Sequence, residues 1–312
     1  MEKINQKKPI VSLRILFSFW TLFLLATALH AQEDSTATAG DAPAVKSYTK
    51  NTFDGNYIID NRTVMVNIPK TLEFDILHHF GTINNGTKDL FGIFSSANMR
   101  LGFSYVVFKN LEIGFGASNY NMTIDGSLKY AILKQTTDNK MPVSITYFGD
   151  MAMDTRARTA FLPLVHTTDR FSYFHQLLIA RKFNSSFSLQ VGADLTYLNN
   201  VMGYYDEAGA VQPQYKHAQF AFTASGRYKI SPATSSTAII VNYEQPVTQN
   251  DKDNPYADLS FGLETRTSGH DFQIFAGTYS YTLPQYNRVS NDNNFKKWNF
   301  MIGFTMSRLW NF

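Results

Sequence analysis

The sequence predicts an all-β fold: a closed, antiparallel, up-and-down transmembrane β-barrel of about twelve strands. Three observations carry this. From residue 71 onward, apolar and polar residues alternate with a period of two in segment after segment, which marks strands with one greasy and one polar face. Aromatic residues make up 15% of the chain, more than a soluble domain of this size needs, and they fall on the apolar parity. The connections between segments alternate long and short, as short periplasmic turns and longer outer loops require.

The chain opens with Lys3, Lys7, Lys8 and Arg14, followed by "ILFSFWTLFLLATALHA". A basic start, an apolar stretch and small residues predict a secretory signal peptide over 1–31, cleaved after Ala31, with Ala26-Thr27-Ala28 as a second candidate site. An uncleaved anchor would need an apolar run of ~20 residues, longer than this one. Residues 32–47, "QEDSTATAGDAPAVKS", are small, polar and aperiodic, and predict a flexible tail. Residues 48–70 are more apolar but broken by Gly55 and Pro69. They predict a segment that crosses the periplasmic mouth or enters the lumen as a partial plug.

Residues 71–312 predict the barrel itself. "TLEFDILHHF" places Leu72, Phe74, Ile76 and Phe80 opposite Glu73, Asp75 and His79. "NMRLGFSYVV" sets Met99, Leu101, Phe103, Tyr105 and Val107 against Arg100, Gly102 and Ser104. "LEIGFGASN" opposes Ile113 and Phe115 to Glu112, Gly114 and Gly116. "FSLQVGADLTYL", "AQFAFTASGRYKI" and "ADLSFGLETRT" repeat the pattern, with Asp194, Arg227, Lys229, Glu264 and Arg266 on their polar faces. "DGSLKYAILK", "PVSITYFGDMAM", "STAIIVNYEQ" and "DFQIFAGTYSYT" also read as strands with less distinct faces, and "RFSYFHQLLIARKF" fits a strand or a helix. In the last segment Trp298, Phe300, Ile302, Phe304 and Met306 share one parity, and Trp310 and Phe312 lie beyond. An open sheet edge in hydrocarbon would leave backbone groups unpaired, so the sheet must close. An even strand number puts both termini in the periplasm.

A secreted β-sandwich also shows short alternating strands after a signal peptide. Against it stand aromatic residues up to the strand ends, polar faces of Gly, Ser, Thr and charges of both signs, and a terminal Phe.

A terminal Phe on an amphipathic last strand resembles the signal read by the outer-membrane assembly machinery of Gram-negative bacteria. Phe304, Met306, Trp310 and Phe312 match that pattern, and Arg308 departs from it. More narrowly, "LEFDILHHFGTINNG", "LFGIFSSANMRLGFSY", "LEIGFG" and "DGSLKYAILKQ" resemble an uncharacterised family of exported β-barrel proteins, over most of 50–312. The resemblance implies the fold and a place in the cell outer membrane, with its lipid and the assembly machinery as partners. It implies no substrate and no catalytic residues.

The polar faces carry the functional expectation. Glu73, Asp75, Arg100, Glu112, Asp194, Arg227, Lys229, Glu264 and Arg266, with Lys129, are expected to line the lumen. There they either pair and close it or edge a water-filled path for small solutes. Their mixed signs argue against a strongly ion-selective pore. Phe148 and Phe275 are candidates to face inward. A net charge of +3 without a basic stripe speaks against nucleic acid. The chain has no Cys, which removes disulfides and thiolate metal sites. Asp251, Asp253 and Asp258 lack the spacing of a calcium loop. His78, His79, His166, His175, His217 and His270 form no hydrolase or zinc motif. The expectation is a channel or binding barrel without catalysis, cofactor or metal. A closed barrel whose outer loops meet partners is the alternative, and a rim hydrolase at His79 or His175 is the remaining one.

Overall fold

The structure, a computed structural model, describes residues 47–160, 166–231 and 235–312. The predicted signal peptide and residues 32–46 of the predicted tail lie outside the described residues.

Twelve strands close into one antiparallel barrel. They are β3 (Thr71–Thr82), β4 (Asn98–Phe108), β5 (Leu111–Ser118), β6 (Thr123–Leu133), β7 (Ser144–Asp154), β8 (Phe171–Lys182), β9 (Phe187–Leu198), β12 (Ala218–Lys229), β13 (Thr237–Pro246), β14 (Asp258–Arg266), β15 (His270–Gly277) and β16 (Met301–Asn311). Each pairs with its neighbour in sequence, and β16 closes the ring on β3 from Asn311↔Thr71 to Met301↔Thr82. One register shift, between Met301 and Gly303, interrupts that seam. Two short hairpins stand apart from the ring: β1 (Tyr57–Ile58) with β2 (Asn61–Arg62), and β10 (Gly203–Tyr205) with β11 (Val211–Pro213).

The period-two pattern maps onto the wall. In β9, Phe187, Leu189, Val191 and Ala193 are exposed while Ser188, Gln190, Gly192 and Asp194 are buried. Outward rings such as Phe103, Phe115 and Phe222 are more than half exposed. A continuous apolar band of this kind is intolerable in water and unremarkable in lipid. Most interior positions are polar, with apolar exceptions such as Leu178, Ile240 and Phe275.

The connections sort by end. Asn110 turns the chain between β4 and β5 with φ +73°, a left-handed conformation that Asn tolerates. At the opposite end run the long connections 83–97, 155–170, 199–217, 247–257 and 278–300, with 119–122 the short exception.

Two local expectations are corrected, both outside residues 171–182, which form strand β8 and so take the strand rather than the helix of the two readings that segment allows. Flanking strands supply its backbone partners, from Ser144↔Ala180 on one side to Lys182↔Ser188 on the other. Trp298 and Phe300 precede β16: Trp298 ends a 3-10 turn at φ +60°, so the alternation begins only at Met301. The run "GTYSYT" leaves the wall after Gly277, because Thr278–Thr282 turns inward with the loop that follows. Arg308 shares the outward parity of Phe304 and Met306. It binds His270 Nε2 at 2.6 Å and lies over the Trp310 ring at 5.4 Å, near the strand's end where a long cation can reach the interface.

Candidate functional site

The lumen is filled by two pieces of the chain. From one end comes the segment 51–66, in which Thr52–Ile59 and Asn61–Val64 are buried. From the other comes the loop 278–300, with the short helix Pro284–Ser290.

The segment enters where the inward polar residues can satisfy its backbone, since a buried unpaired N–H or C=O is costly. Gln273 takes the β1–β2 hairpin as a strand would: its Oε1 accepts from Ile59 N at 2.7 Å and its Nε2 donates to Tyr57 O at 2.9 Å. Gln190 repeats the device, accepting from Val64 N at 2.9 Å and donating to Arg62 O at 2.7 Å. Thr146 donates to Val64 O, and Gln176 donates to the Asn61 side chain. Gly55 sits against the Asp271 carboxylate, where a Cβ would collide. At the hairpin tip Ile59 holds φ +58°, a strained conformation for a β-branched residue. Full burial of its side chain holds it there.

Charges fix the segment in depth. Asp54 meets Arg227, with Lys229 and Arg266 each 3.6 Å away, and Arg227 also binds Glu264. Asn56 accepts from Lys129 Nζ at 2.8 Å while its Nδ2 donates to Glu73 at 2.7 Å and to Glu112 at 3.2 Å. Asp60 pairs with His79 Nε2 at 2.7 Å. An apolar cluster completes the fit: Phe53, Ile58, Ile59 and Val64 pack with Leu178, Ala180, Ile240 and Phe275 of the wall.

The loop is held the same way. Arg288 bridges Asp194, at 3.1 Å, and Glu244, between the rings of Phe174 and Tyr279. The Tyr279 hydroxyl donates to Glu244, Gln285 donates to Asp150, and Thr278 donates to Asp258 at 2.8 Å. Between segment and loop remains a cavity of about 20 Å³, bordered by Tyr57, Arg62, Arg100, Asp150, Phe174 and Arg288. That is room for a water and little more.

The family model described as "Membrane bound beta barrel domain (DUF5777)" matches residues 53–310. The chain belongs to this family. No curated protein matches it. Among solved structures, the membrane-bound barrel is similar to a NanC porin at 10% identity and TM-score 0.48, over 77% of this chain and 99% of that one. It is also similar to an outer membrane channel from Pseudomonas putida F1 at 14% identity and TM-score 0.45, over 79% and 97% of the two chains.

Within the barrel, Glu73, Asp75, Arg100, Glu112, Asp194, Arg227 and Glu264 are all buried, and Lys229 and Arg266 are half-buried beside Asp54. Arg100 gathers Asp75, at 3.1 Å, and Asp125, at 2.6 Å. This crowding explains two glycines: a Cβ at Gly102 or Gly116 would run into the Arg100 guanidinium. Phe304, Met306 and Trp310 lie along the outer face of β16, and Phe312 follows it, well exposed. The histidines are scattered. His79 is inside with Asp60, and His78 stacks on Phe304 outside at 5.0 Å. His175 Nδ1 meets the Tyr147 hydroxyl at 2.6 Å, and His217 Nδ1 lies 2.6 Å from Leu198 O. His166 opens the 3-10 turn Thr167–Arg170. Asp258 is buried against Ser260 and Thr278, while Asp253 accepts from Gln214 in an exposed loop.

Proposed function

We propose that the protein is an outer-membrane barrel whose path for small polar solutes is held shut by its own segment 51–66 and by the loop 278–300. No chemistry is part of this reading. The observation that carries it is the way the lumen is filled. Both pieces are tied to the wall mainly by hydrogen bonds and ion pairs that water can replace, and neither contributes a strand to the ring. A ring that keeps every backbone ladder when its contents leave is a ring that can open.

The outer-membrane location rests on the export pattern of residues 1–31, the lipid-facing band and the aromatic last strand, with Phe304, Met306, Trp310 and Phe312 as the segment that the assembly machinery would read. A second reading, a permanently closed barrel that works through its outer loops, is favoured by the apolar cluster at Ile59 and by the smallness of the remaining cavity.

Planar-bilayer recording separates the two. The full chain should be silent or rarely open. The variant F53S/I58S/I59S, which removes the segment's apolar anchor without adding charge, should show current steps. A folded variant as silent as the parent would establish the closed barrel instead.

A further inference from the structure

Resting on that reading, we infer that the opened lumen admits cations in preference to anions, so that its solutes are small cations, including those that carry an ammonium or guanidinium group. The charges that set this come from the whole wall. Among the described residues, the twelve strands bury eleven carboxylates and three cations, Arg100, Lys129 and Arg227. Adding the half-buried Lys182, Lys229 and Arg266, and Arg288 of the loop, still leaves carboxylates ahead by eleven to seven. Departure of the segment removes Asp54, Asp60 and Arg62, close to an even exchange, so the wall itself sets the sign.

A second observation concerns unused acceptors. Glu73 Oε1, Asp194 Oδ1 and Asp271 Oδ1 are buried without a hydrogen-bond partner. The chain's own fillers meet the carboxylates as donors. Asn56 and Asn67 donate to Glu73, Gln285 to Asp150, Tyr279 to Glu244, and Arg288 to Asp194. Arg288 is an internal guanidinium seated between two carboxylates and near two aromatic rings. Whatever replaces such fillers in a low-dielectric tube must bring donors or positive charge, or leave ionised carboxylates facing one another. Water and cations do this, and anions do not.

Reversal potentials in a KCl gradient test the inference on the full-length F53S/I58S/I59S variant, with Gly55→Leu as a second way of displacing the segment, since that side chain would overlap Asp271. A heat-dependent shift of the band on an SDS gel certifies the ring in each. The expected result is a potential of the cation-selective sign, with K⁺ favoured over Cl⁻ about threefold or more at low salt and less at 1 M, where screening is strong. Adding Glu112→Gln and Asp150→Asn should move the ratio toward one. Current that is indifferent to ion sign, or anion-selective, overturns the inference and leaves the gated path standing. Absence of current from both folded variants overturns the path and the inference together.

Discussion

Replacing Arg227 by Met should loosen the segment while sparing the ring. Arg227 is 4% exposed and joins Asp54 of the segment to Glu264 of β14. Met keeps much of the volume and leaves two buried carboxylates with less compensation. Removing one partner of a buried ion pair costs ~3–5 kcal/mol. Lys229 and Arg266, each 3.6 Å from Asp54, soften the loss, which favours the lower end. About 3 kcal/mol is roughly a hundredfold in the equilibrium between seated and displaced segment. The backbone pairs Arg227↔Ser188 and Arg227↔Ile240 are untouched. Because the chain has no Cys, Val64→Cys introduces a single thiol at a site 4% exposed. Its reaction with a membrane-impermeant maleimide reports the open population when closing outpaces labelling. Labelling should be on the order of a hundredfold faster with R227M, at an unchanged heat shift on SDS gels. Equal labelling rates in two folded proteins would refute the claim that this ion pair holds the segment.

Other outcomes follow from the same contacts. Gly102→Ala should lower the melting temperature of the SDS-resistant form by an overpacking cost of ~1–3 kcal/mol, because its methyl would overlap the Asp75 carboxylate and Arg100; an unchanged transition would argue for a loose interior. Ile59→Gly relieves strain of about 1 kcal/mol but gives up ~2–3 kcal/mol of burial, so V64C labelling should quicken, and slower labelling would show that strain dominates. Deleting Phe312 should reduce the yield of membrane-inserted protein more than the strand content of refolded protein; equal membrane yield would count against an assembly role. The Asp89 carboxyl is held below its ordinary 3.8 by hydrogen bonds from Asn85, Gly92 and Ser95. A depressed value means that this anchoring of the loop 83–97 is complete above about pH 4 and is lost as pH falls through the lower folded value. The anisotropy of a dye on Ser96→Cys should therefore drop on acidification, and Asp89→Asn should remove that dependence.

Strand parity was legible because lipid and lumen impose opposite demands on adjacent residues. Glu73, Asp75, Glu112, Asp194 and Glu264 could thus be placed on one face from sequence. The contents of the lumen were not. Residues 48–70 left two placements open, since nothing local distinguishes a segment lying across a mouth from one threaded inside. Its partners there, Gln176, Gln190 and Gln273, are uncharged, and an inward parity such as that of Gln190 does not by itself mark a residue as meeting a threaded segment. One signal was present in the blurred faces of "LLIA" and "AIIV". Leu178 and Ile240 are apolar on the polar parity because they meet Ile58 and Ile59. The run after Gly277 alternates like a strand yet turns inward, because Tyr279 and Arg288 find Glu244 there, far away in sequence. The excess of carboxylates was hidden likewise. The nine wall charges visible in the sequence look balanced, and Asp125, Asp150, Asp154, Glu244, Asp258 and Asp271 tip the sum.

The most direct test places spin labels on two neighbours of β12, through Phe222→Cys and Thr223→Cys, in protein reconstituted in bilayers. Phe222 is 59% exposed on the outer wall and Thr223 is 4% exposed inside. The label at 222 should collide freely with oxygen and hardly at all with a water-soluble nickel complex, and the label at 223 should meet little of either. Free access of the nickel complex to 223 would contradict the filled lumen, and free access to 222 would contradict the lipid-facing wall.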